Sequence, residues 1–227
     1  MKLYKIANVL TLSRILILPL FLIFLMNSSL NSHYRLISYL LFIYFFLSDL
    51  VDGYLVRKGG ERNYVGQFID PLADKVFLGV SYIVLTTHWG RPPGIIVLII
   101  AGRYIILGFL WFTAFFVSER SFFEFLRMEN VLTTPTLLGK ATTWGEVILL
   151  GSIVFNLPSF IRVPFYFLVP TFSIITGGNY LYLALDRIKN YQSASTEEER
   201  EALKRMNDFL RRWGIFREKT GSSPLRE

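Results

Sequence analysis

The chain has 227 residues, 52% of them hydrophobic and 18% charged, with no cysteine and a formal net charge of +7. The lack of cysteine excludes a disulfide framework, a thiol nucleophile and a thiolate metal site. Long uninterrupted apolar runs, more than the mean composition, predict a membrane protein. A net positive charge is typical of proteins that bind nucleic acid or an anionic membrane surface. The apolar runs favour membrane lipids, and no nucleic acid, as partners.

Six apolar runs predict an all-α integral membrane protein, because each is near the roughly 20 residues that cross the hydrocarbon core. The predicted transmembrane helices cover about residues 10–26, 34–56, 67–88, 94–117, 141–157 and 163–186. Lys2 and Lys5 before the first run are also typical of a signal peptide, but Arg14 interrupts that run early. We therefore expect a retained first span, a membrane domain over 1–191 and a charged cytoplasmic tail over 192–227.

The basic residues predict the orientation of these helices. With a cytoplasmic N-terminus, twenty of the 24 lysines and arginines fall on the cytoplasmic side. Only Arg35, Arg91 and Arg162 fall on the opposite side, and Arg103 lies inside a span. Because cytoplasmic loops carry the excess of Lys and Arg, this bias predicts that both termini face the cytoplasm, with the cell (inner) membrane as the expected location.

Two further segments have amphipathic patterns. Residues 121–127 carry apolar side chains at helical spacing, which predicts an interfacial helix. In the tail, Thr196 and Glu199 match a capping box at the start of a helix. The apolar face of that tail helix consists of Leu203, Met206, Leu210 and Trp213. Two interpretations stay open for it, a solvated or surface-lying helix and a partner-binding helix.

All five carboxylates of the first 117 residues lie within one 26-residue stretch. Asp49 and Asp52 are three residues apart on the second predicted span, and Asp70 and Asp74 are four apart on the third, so each pair shares one helix face. The short connection predicts antiparallel neighbours, whose four carboxylates can converge near the cytoplasmic surface. Each acid at membrane depth costs about 2.5–3.5 kcal/mol on insertion scales. We expect that binding of one or two divalent ions, Mg²⁺ or Mn²⁺, offsets this cost, because these ions prefer all-oxygen ligands such as carboxylates.

Residues beside the acids suit a phosphorylated ligand. Gly53 and Gly66 allow a flat or phosphorylated group to approach the acids, although small residues also serve close helix packing. Arg57 lies just over one turn beyond Asp52 and suits a phosphate, with an ordinary cytoplasmic flanking charge as the alternative interpretation.

Together these residues resemble the signature of the CDP-alcohol phosphatidyltransferase family, Asp-x2-Asp-Gly-x2-Ala-Arg-x8-Gly-x3-Asp-x3-Asp. Seven of its eight fixed positions match, and the exception is Val56, where the family usually has Ala. The matching residues are Asp49, Asp52, Gly53, Arg57, Gly66, Asp70 and Asp74. The resemblance extends to the six-span plan and covers about residues 1–190, so the tail lies outside it.

The resemblance implies a reaction and a role for each of these residues. A hydroxyl attacks the phosphate attached to the lipid in CDP-diacylglycerol, and CMP leaves. The family pattern implies that Asp49, Asp52 and Asp70 hold metal in a two-ion site, and that Asp74 contributes to the metal site and takes the acceptor's proton. The residues expected to contact the CDP group are Asp49, Asp52, Gly53, Arg57 and Gly66. Family members are often dimers, so a homodimer is the expected assembly by analogy.

Three further segments resemble the glycerol-3-phosphate branch of the family, the phosphatidylglycerophosphate synthases. They are Asn8-Val-Leu-Thr11-Leu-Ser-Arg14, Asp70-Pro-Leu-Ala-Asp74-Lys75 and Gly139-Lys140-Ala-Thr142-Thr. A phosphorylated alcohol as acceptor suits a basic cluster, for which we expect Lys75, Arg103 and Lys140. The alternatives are snorkelling of the two lysines and pairing of Arg103 with a neighbouring helix. Tyr104 stands where the branch usually has an acid, and we expect structural roles for Glu146 and Asp186.

Other functions stay open beside glycerol-3-phosphate transfer. A cardiolipin-type or inositol-phosphate transferase is the alternative within the family, whereas the serine-using branch usually has Ser where this chain has Pro71. An ion or proton transporter is the alternative from another class, since intramembrane acids are its hallmark too. The clustering of the acids at one membrane face, without an inverted repeat, favours the transferase.

Overall fold

The computed structural model describes residues 3–59, 64–118, 136–194 and 197–212. Within these ranges, the description excludes the side chains at 3–12, 15, 49–50, 52–59, 64–71, 118, 193 and 198–199. The described residues form seven α-helices and one short 3₁₀ helix, Tyr191–Ser193, with no strand among them. The predicted all-α class is therefore confirmed for this part of the chain, and the interfacial helix predicted over 121–127 lies outside the described residues.

Six long helices correspond one for one to the six predicted apolar runs. They are α1 (Leu3–Met26), α2 (Ser32–Gly59), α3 (Tyr64–Trp89), α4 (Gly94–Ser118), α5 (Leu137–Val154) and α6 (Ser159–Lys189). By length and composition, three described segments can cross a membrane: Gly94–Val117 of α4, and all of α5 and α6. A shorter apolar stretch, Leu16–Met26, lies in α1.

Large apolar side chains cover the outer surface of these helices. Leu16, Leu98 and Phe167 are 71%, 69% and 71% exposed, although each is of a type that usually lies inside a soluble protein. Exposed apolar surface on this scale marks contact with another apolar phase. With the three membrane-length helices, it identifies the chain as an integral membrane protein.

Local turn chemistry sets the ends of α5, and it corrects the predicted bounds of 141–157. The helix begins earlier because the Thr136 hydroxyl oxygen accepts a hydrogen bond from the Gly139 N–H at 3.1 Å, which caps the first turn. It ends earlier because Asn156 adopts a left-handed conformation, with φ of 50°. The Leu157 N–H then donates to the Ser152 carbonyl and the Asn156 N–H to the Ile153 carbonyl, which is a Schellman ending.

The helices divide into two compact units. The first comprises residues 1–106 and 135–178, and the second comprises residues 107–134 and 179–227. The core of the first unit is strongly aromatic around Phe77, which is fully buried. Its ring stacks on Phe45 of α2, with centroids 3.6 Å apart, and on Phe21 of α1, with centroids 5.2 Å apart. This cluster fixes α1, α2 and α3 against one another.

In the second unit, the tail helix α7 (Glu197–Arg212) packs by its predicted apolar face. Leu203 and Met206 are 2% and 1% exposed, and the Asn207 side-chain N–H donates to the Ile188 carbonyl at 2.9 Å. The predicted helix is confirmed, and its apolar face is packed instead of solvated at these positions. Thr196 and Trp213 lie outside the described residues, and the predicted domain boundary at residue 191 stays a prediction.

We expect Phe77→Ala to lower the free energy of unfolding by about 3–5 kcal/mol, because it empties a ring-sized space against Phe21 and Phe45. Phe167→Ala is the matched control, since this side chain is 71% exposed in the same unit, and it should cost less than about 0.5 kcal/mol. Reversible unfolding of both variants in detergent measures the difference. Equal losses would contradict the packing around Phe77.

Candidate active site

The family signature lies near the end of α2 and the beginning of α3. The α2 helix contains Asp49, Asp52, Gly53 and Arg57, and α3 contains Gly66, Asp70, Asp74 and Lys75. Asp74 and Lys75 have described side chains, whereas the side chains of the other six lie outside the described part of the structure. All eight residues lie on helical backbone, as their spacing predicted. The convergence of the acids and the roles of the six undescribed side chains stay predictions.

Two contacts show that α2 and α3 are antiparallel. Phe45 stacks on Phe77, and at the other end Arg35 and Trp89 line one cavity, although Arg35 begins α2 and Trp89 ends α3. Along the chain, Asp49 is about one turn beyond Phe45, and Asp74 is about one turn before Phe77. The backbone positions of the two acid pairs therefore lie at the same end of the α2–α3 pair.

A buried arginine from α1 contacts the last acid of the signature. The Arg14 Nη1 atom lies 3.3 Å from the Asp74 Oδ1 atom, and the Arg14 side chain is fully buried while that of Asp74 is 33% exposed. A buried guanidinium requires such a partner, because an unpaired charge in an apolar interior is very costly. This contact was not predicted, although the sequence carries a signal for it. The signal was a single basic residue in the middle of an apolar run.

Glu146 of α5 is the centre of a second buried polar cluster. Its Oε2 atom accepts from the Tyr104 hydroxyl at 2.6 Å and from the Arg103 Nη2 at 3.3 Å, both on α4. Its Oε1 atom accepts from the Ser173 hydroxyl of α6 at 3.4 Å, and its backbone carbonyl accepts from the Tyr82 hydroxyl of α3. The structural role expected for Glu146 is confirmed, since its carboxylate connects α5 to α4 and α6, and its backbone carbonyl connects α5 to α3.

Tyr104 occupies the position at which the glycerol-3-phosphate branch usually has an acid. In this structure the carboxylate beside Arg103 comes from Glu146 on the neighbouring helix, and Tyr104 donates a hydrogen bond to the same carboxylate. The charge balance at Arg103 is therefore preserved although the acid does not follow it in sequence. Spacing along α4 alone could not have found this pairing, because its two partners are 43 residues apart.

Arg103 has donors left over after these contacts. The side chain is 4% exposed, and its Nε and Nη1 atoms are buried without a hydrogen-bond partner among the described residues, while Nη2 also donates to the Thr143 hydroxyl at 3.3 Å. The predicted alternative of pairing with a neighbouring helix is thus correct for one nitrogen. Two unsatisfied guanidinium nitrogens at a buried position fit an anionic ligand that completes their hydrogen bonds.

The other two residues of the predicted basic cluster lie near Arg103. Lys75 of α3 is within electrostatic range of Arg103, Asp74 and Glu146. Lys140 is exposed in the first turn of α5, one turn before Thr143, which contacts Arg103. Asp186, the other acid expected to be structural, accepts a hydrogen bond from the Asn190 side chain at 3.0 Å in the second unit.

The described side chains contain no group of three or more potential metal ligands. Three of the four aspartates predicted to bind metal, Asp49, Asp52 and Asp70, have side chains outside that description. Asp74, the fourth, is partly exposed and is positioned by a buried cation.

The helices and their buried polar clusters define an integral membrane protein with a charged centre inside an apolar bundle. The model of the CDP-alcohol phosphatidyltransferase family matches residues 4–178, which is most of the chain. The chain belongs to this family, as the signature predicted, and is a transferase. Its substrates are accordingly a CDP-alcohol and an alcohol acceptor.

Curated relatives share much of the chain. It is 25% identical over 211 residues to the CDP-diacylglycerol–glycerol-3-phosphate 3-phosphatidyltransferase of Bacillus subtilis, covering 85% of this chain and 98% of that protein. It is 33% identical over 151 residues to the protein of the same name from Rickettsia typhi, covering 66% and 76%. A cardiolipin synthase (CMP-forming) / mitochondrial hydrolase fusion protein of Schizosaccharomyces pombe is 30% identical over 188 residues, covering 78% of this chain and 30% of that protein.

We expect Glu146→Gln to lower the free energy of unfolding by about 3 kcal/mol or more, because it leaves the Arg103 charge buried without its counter-charge. The double variant Arg103→Gln/Glu146→Gln should recover part of that loss, since both charges are then removed. Chemical unfolding of the two single variants and the double variant measures the coupling.

Glu197→Gln is the matched control for this cycle, because Glu197 also pairs with an arginine, Arg200 at 2.9 Å, but its side chain is 75% exposed. Such a surface pair contributes less than about 1 kcal/mol. Strictly additive effects of the Arg103 and Glu146 substitutions would refute the coupling of the two charges.

Proposed function

We propose that the chain transfers a phosphatidyl group from CDP-diacylglycerol to the hydroxyl of glycerol-3-phosphate and releases CMP. Membership of the family supports the reaction class. The observation that supports this acceptor is Arg103, a buried cation with two nitrogens that have no partner among the described residues. Arg103 interacts electrostatically with Lys75 and contacts Thr143, which lies one turn of α5 from Lys140. A phosphomonoester supplies the charge and the acceptor oxygens that this basic cluster lacks.

The donor set fits a pair of divalent ions, Mg²⁺ or Mn²⁺. Four carboxylates near the paired ends of α2 and α3 offer the all-oxygen ligation that these hard cations prefer, and Asp49, Asp52, Asp70 and Asp74 are the proposed ligands. Ions held by these carboxylates would supply charge neutralisation for the phosphates during an in-line displacement. The antiparallel arrangement of α2 and α3 supports this assignment, because it brings both acid pairs to one end.

Asp74 takes the proton of the acceptor hydroxyl in this proposal. The hydroxyl oxygen forms a bond to the phosphorus of the phosphatidyl group, the bond from that phosphorus to the CMP oxygen breaks, and the proton moves to the Asp74 carboxylate. Arg14 holds the Oδ1 atom of Asp74 at 3.3 Å, which fixes the carboxylate's orientation without shielding it, since Asp74 is still 33% exposed. A positioned base of this kind contributes about 10²–10⁴-fold to the rate.

The remaining residues hold the two substrates. Asp49, Asp52, Gly53, Arg57 and Gly66 are the proposed contacts of the CDP group, with the Arg57 guanidinium suited to its diphosphate. Lys75, Arg103 and Lys140 are the proposed contacts of the acceptor phosphate. Holding the acceptor by its phosphate places its hydroxyl for attack, and such positioning is a large part of phosphoryl-type catalysis.

The proposed setting is a six-span homodimer in the cell (inner) membrane, with both termini and the active site facing the cytoplasm. The bias of lysine and arginine toward one side supports that orientation, and the six long helices support the number of spans. A cardiolipin-type acceptor is the second candidate, because the relative from Schizosaccharomyces pombe bears that name at 30% identity.

We expect purified protein with Mg²⁺ and CDP-diacylglycerol to release CMP when glycerol-3-phosphate is added, as measured by chromatography. Glycerol is the matched control, because it lacks only the phosphate, and it should react at least about 100-fold more slowly, since the basic cluster is then left without an anion. Release with phosphatidylglycerol or inositol-phosphate, but not with glycerol-3-phosphate, would overturn the proposed acceptor and leave the reaction class in place.

We expect Asp74→Asn to lower kcat by at least about 100-fold, because the amide cannot take up the hydroxyl proton. The variant should fold but be less stable, since the amide oxygen can still accept from Arg14 while the counter-charge of this buried guanidinium is removed. Asp208→Asn, on an exposed position of α7, is the matched control and should react like the wild type. Initial rates of CMP release, with thermal unfolding as the check on folding, test the role; unchanged kcat in the Asp74 variant would exclude it.

A further inference from the structure

Three arginines line one cavity of about 470 Å³ at the end of the first unit that lies away from the signature. Arg35 is near the start of α2, Arg91 follows α3, and Arg162 is near the start of α6. Along α2, Arg35 and Asp49 are about 21 Å apart, so this cavity is separate from the candidate active site. A cavity of this volume is in the range of small-molecule sites.

Arg162 has the environment of an incomplete anion site. Its side chain is within the cavity lining, only 9% of the residue is exposed, and its buried Nη1 atom has no hydrogen-bond partner in the part of the chain that the structure describes. Burying a guanidinium costs free energy that an anion with acceptor oxygens recovers. An unsatisfied donor at such a position is therefore evidence for a ligand.

The cavity has no carboxylate to neutralise these arginines. Apart from Arg35, Arg91 and Arg162, the described lining consists of neutral side chains. The connecting segments 27–31, 90–93 and 155–158, which lie at this end of the helices, contain no Asp or Glu either. A negative charge that balances the three arginines must therefore come from outside this part of the chain.

The backbone fixes two walls of the cavity. Gly90, with φ of 64°, ends α3 and directs the chain into Arg91, while Asn156, with φ of 50°, ends α5 inside the lining. The Schellman bonds already satisfy the Ser152 and Ile153 carbonyls at the end of α5. These carbonyls therefore do not need donors from the arginines, which remain available to a ligand.

We propose that this cavity binds a phosphate group, held by the guanidinium groups of Arg35, Arg91 and Arg162. The planar fork of arginine matches phosphate oxygens, and Tyr39 and Trp89 in the same lining are residue types enriched at the membrane–water interface, where phospholipid phosphates lie. A phospholipid headgroup and a free phosphate share this chemistry.

The test is thermal unfolding of the full chain in a neutral detergent with two ligands. One arm adds inorganic phosphate at constant ionic strength, with chloride as the reference. The other adds dioleoylphosphatidylglycerol, with dioleoylglycerol, which lacks the phosphate, as the reference. At about 100 times Kd, a ligand specific for the folded state should raise Tm by about 5 °C.

Arg162→Gln and Arg35→Gln should each remove most of this rise, whereas Arg212→Gln, on the exposed end of α7, should keep it. Phosphate bound at the candidate active site contributes equally to all four proteins, so the difference between them reports this cavity. Arg35 is exposed at its site, so its variant keeps the test valid if Arg162→Gln folds poorly.

A difference seen with phosphate alone assigns a soluble anion, and one seen with phosphatidylglycerol assigns a lipid headgroup; either supports the proposal. A difference with both identifies the phosphate group itself as the recognised unit. The same Tm rise in the wild type and in both cavity variants, or no rise in either arm, would overturn the proposal.

Discussion

The pairing between Glu146 and Arg103 is the interaction on which the arrangement of the helices most depends. In an apolar bundle, a charge has no water to solvate it, and each buried ion needs a counter-ion and satisfied hydrogen bonds. Glu146 meets this requirement with donors from α4 and α6, while its backbone carbonyl accepts from Tyr82 of α3. Because these contacts are directional, they fix the rotation of each helix about its axis, which nonspecific apolar packing does not.

The same requirement connects the structural role of these charges with their chemical one. Arg14 and Asp74 differ sharply in exposure, since the guanidinium is fully buried and the carboxylate is one third exposed. The arginine therefore acts as a fixed support, and the carboxylate is open to a ligand. Arg103 combines a structural contact with donors that a ligand could use, because one nitrogen contacts Glu146 and Thr143 while two others have no partner among the described residues.

The six long helices and the helical positions of the aspartates could be predicted from the sequence, because apolar runs and residue spacing are local signals. The six apolar runs gave all six long helices, and the spacing of the aspartates placed both acid pairs on helical backbone. The ends of α5 were wrong by several residues, since Thr136 and Asn156 act through hydrogen bonds that apolar periodicity does not reveal. The contacts of Arg14 with Asp74 and of Arg103 with Glu146 join residues 60 and 43 positions apart, and such pairings depend on how helices pack.

The location of Glu146 on α5 has a consequence for biogenesis. During synthesis α4 emerges from the ribosome before α5, so Arg103 must enter the bilayer before its counter-ion has emerged. An arginine at the centre of an isolated helix costs about 2.5–3.5 kcal/mol in translocon-mediated insertion. The segment that carries it, Gly94–Val117, is the most apolar of the three candidate spans, and its other residues offset that cost until α5 arrives. The high hydrophobicity of α4 thus allows this helix to insert before α5 arrives, in addition to stabilising the finished bundle.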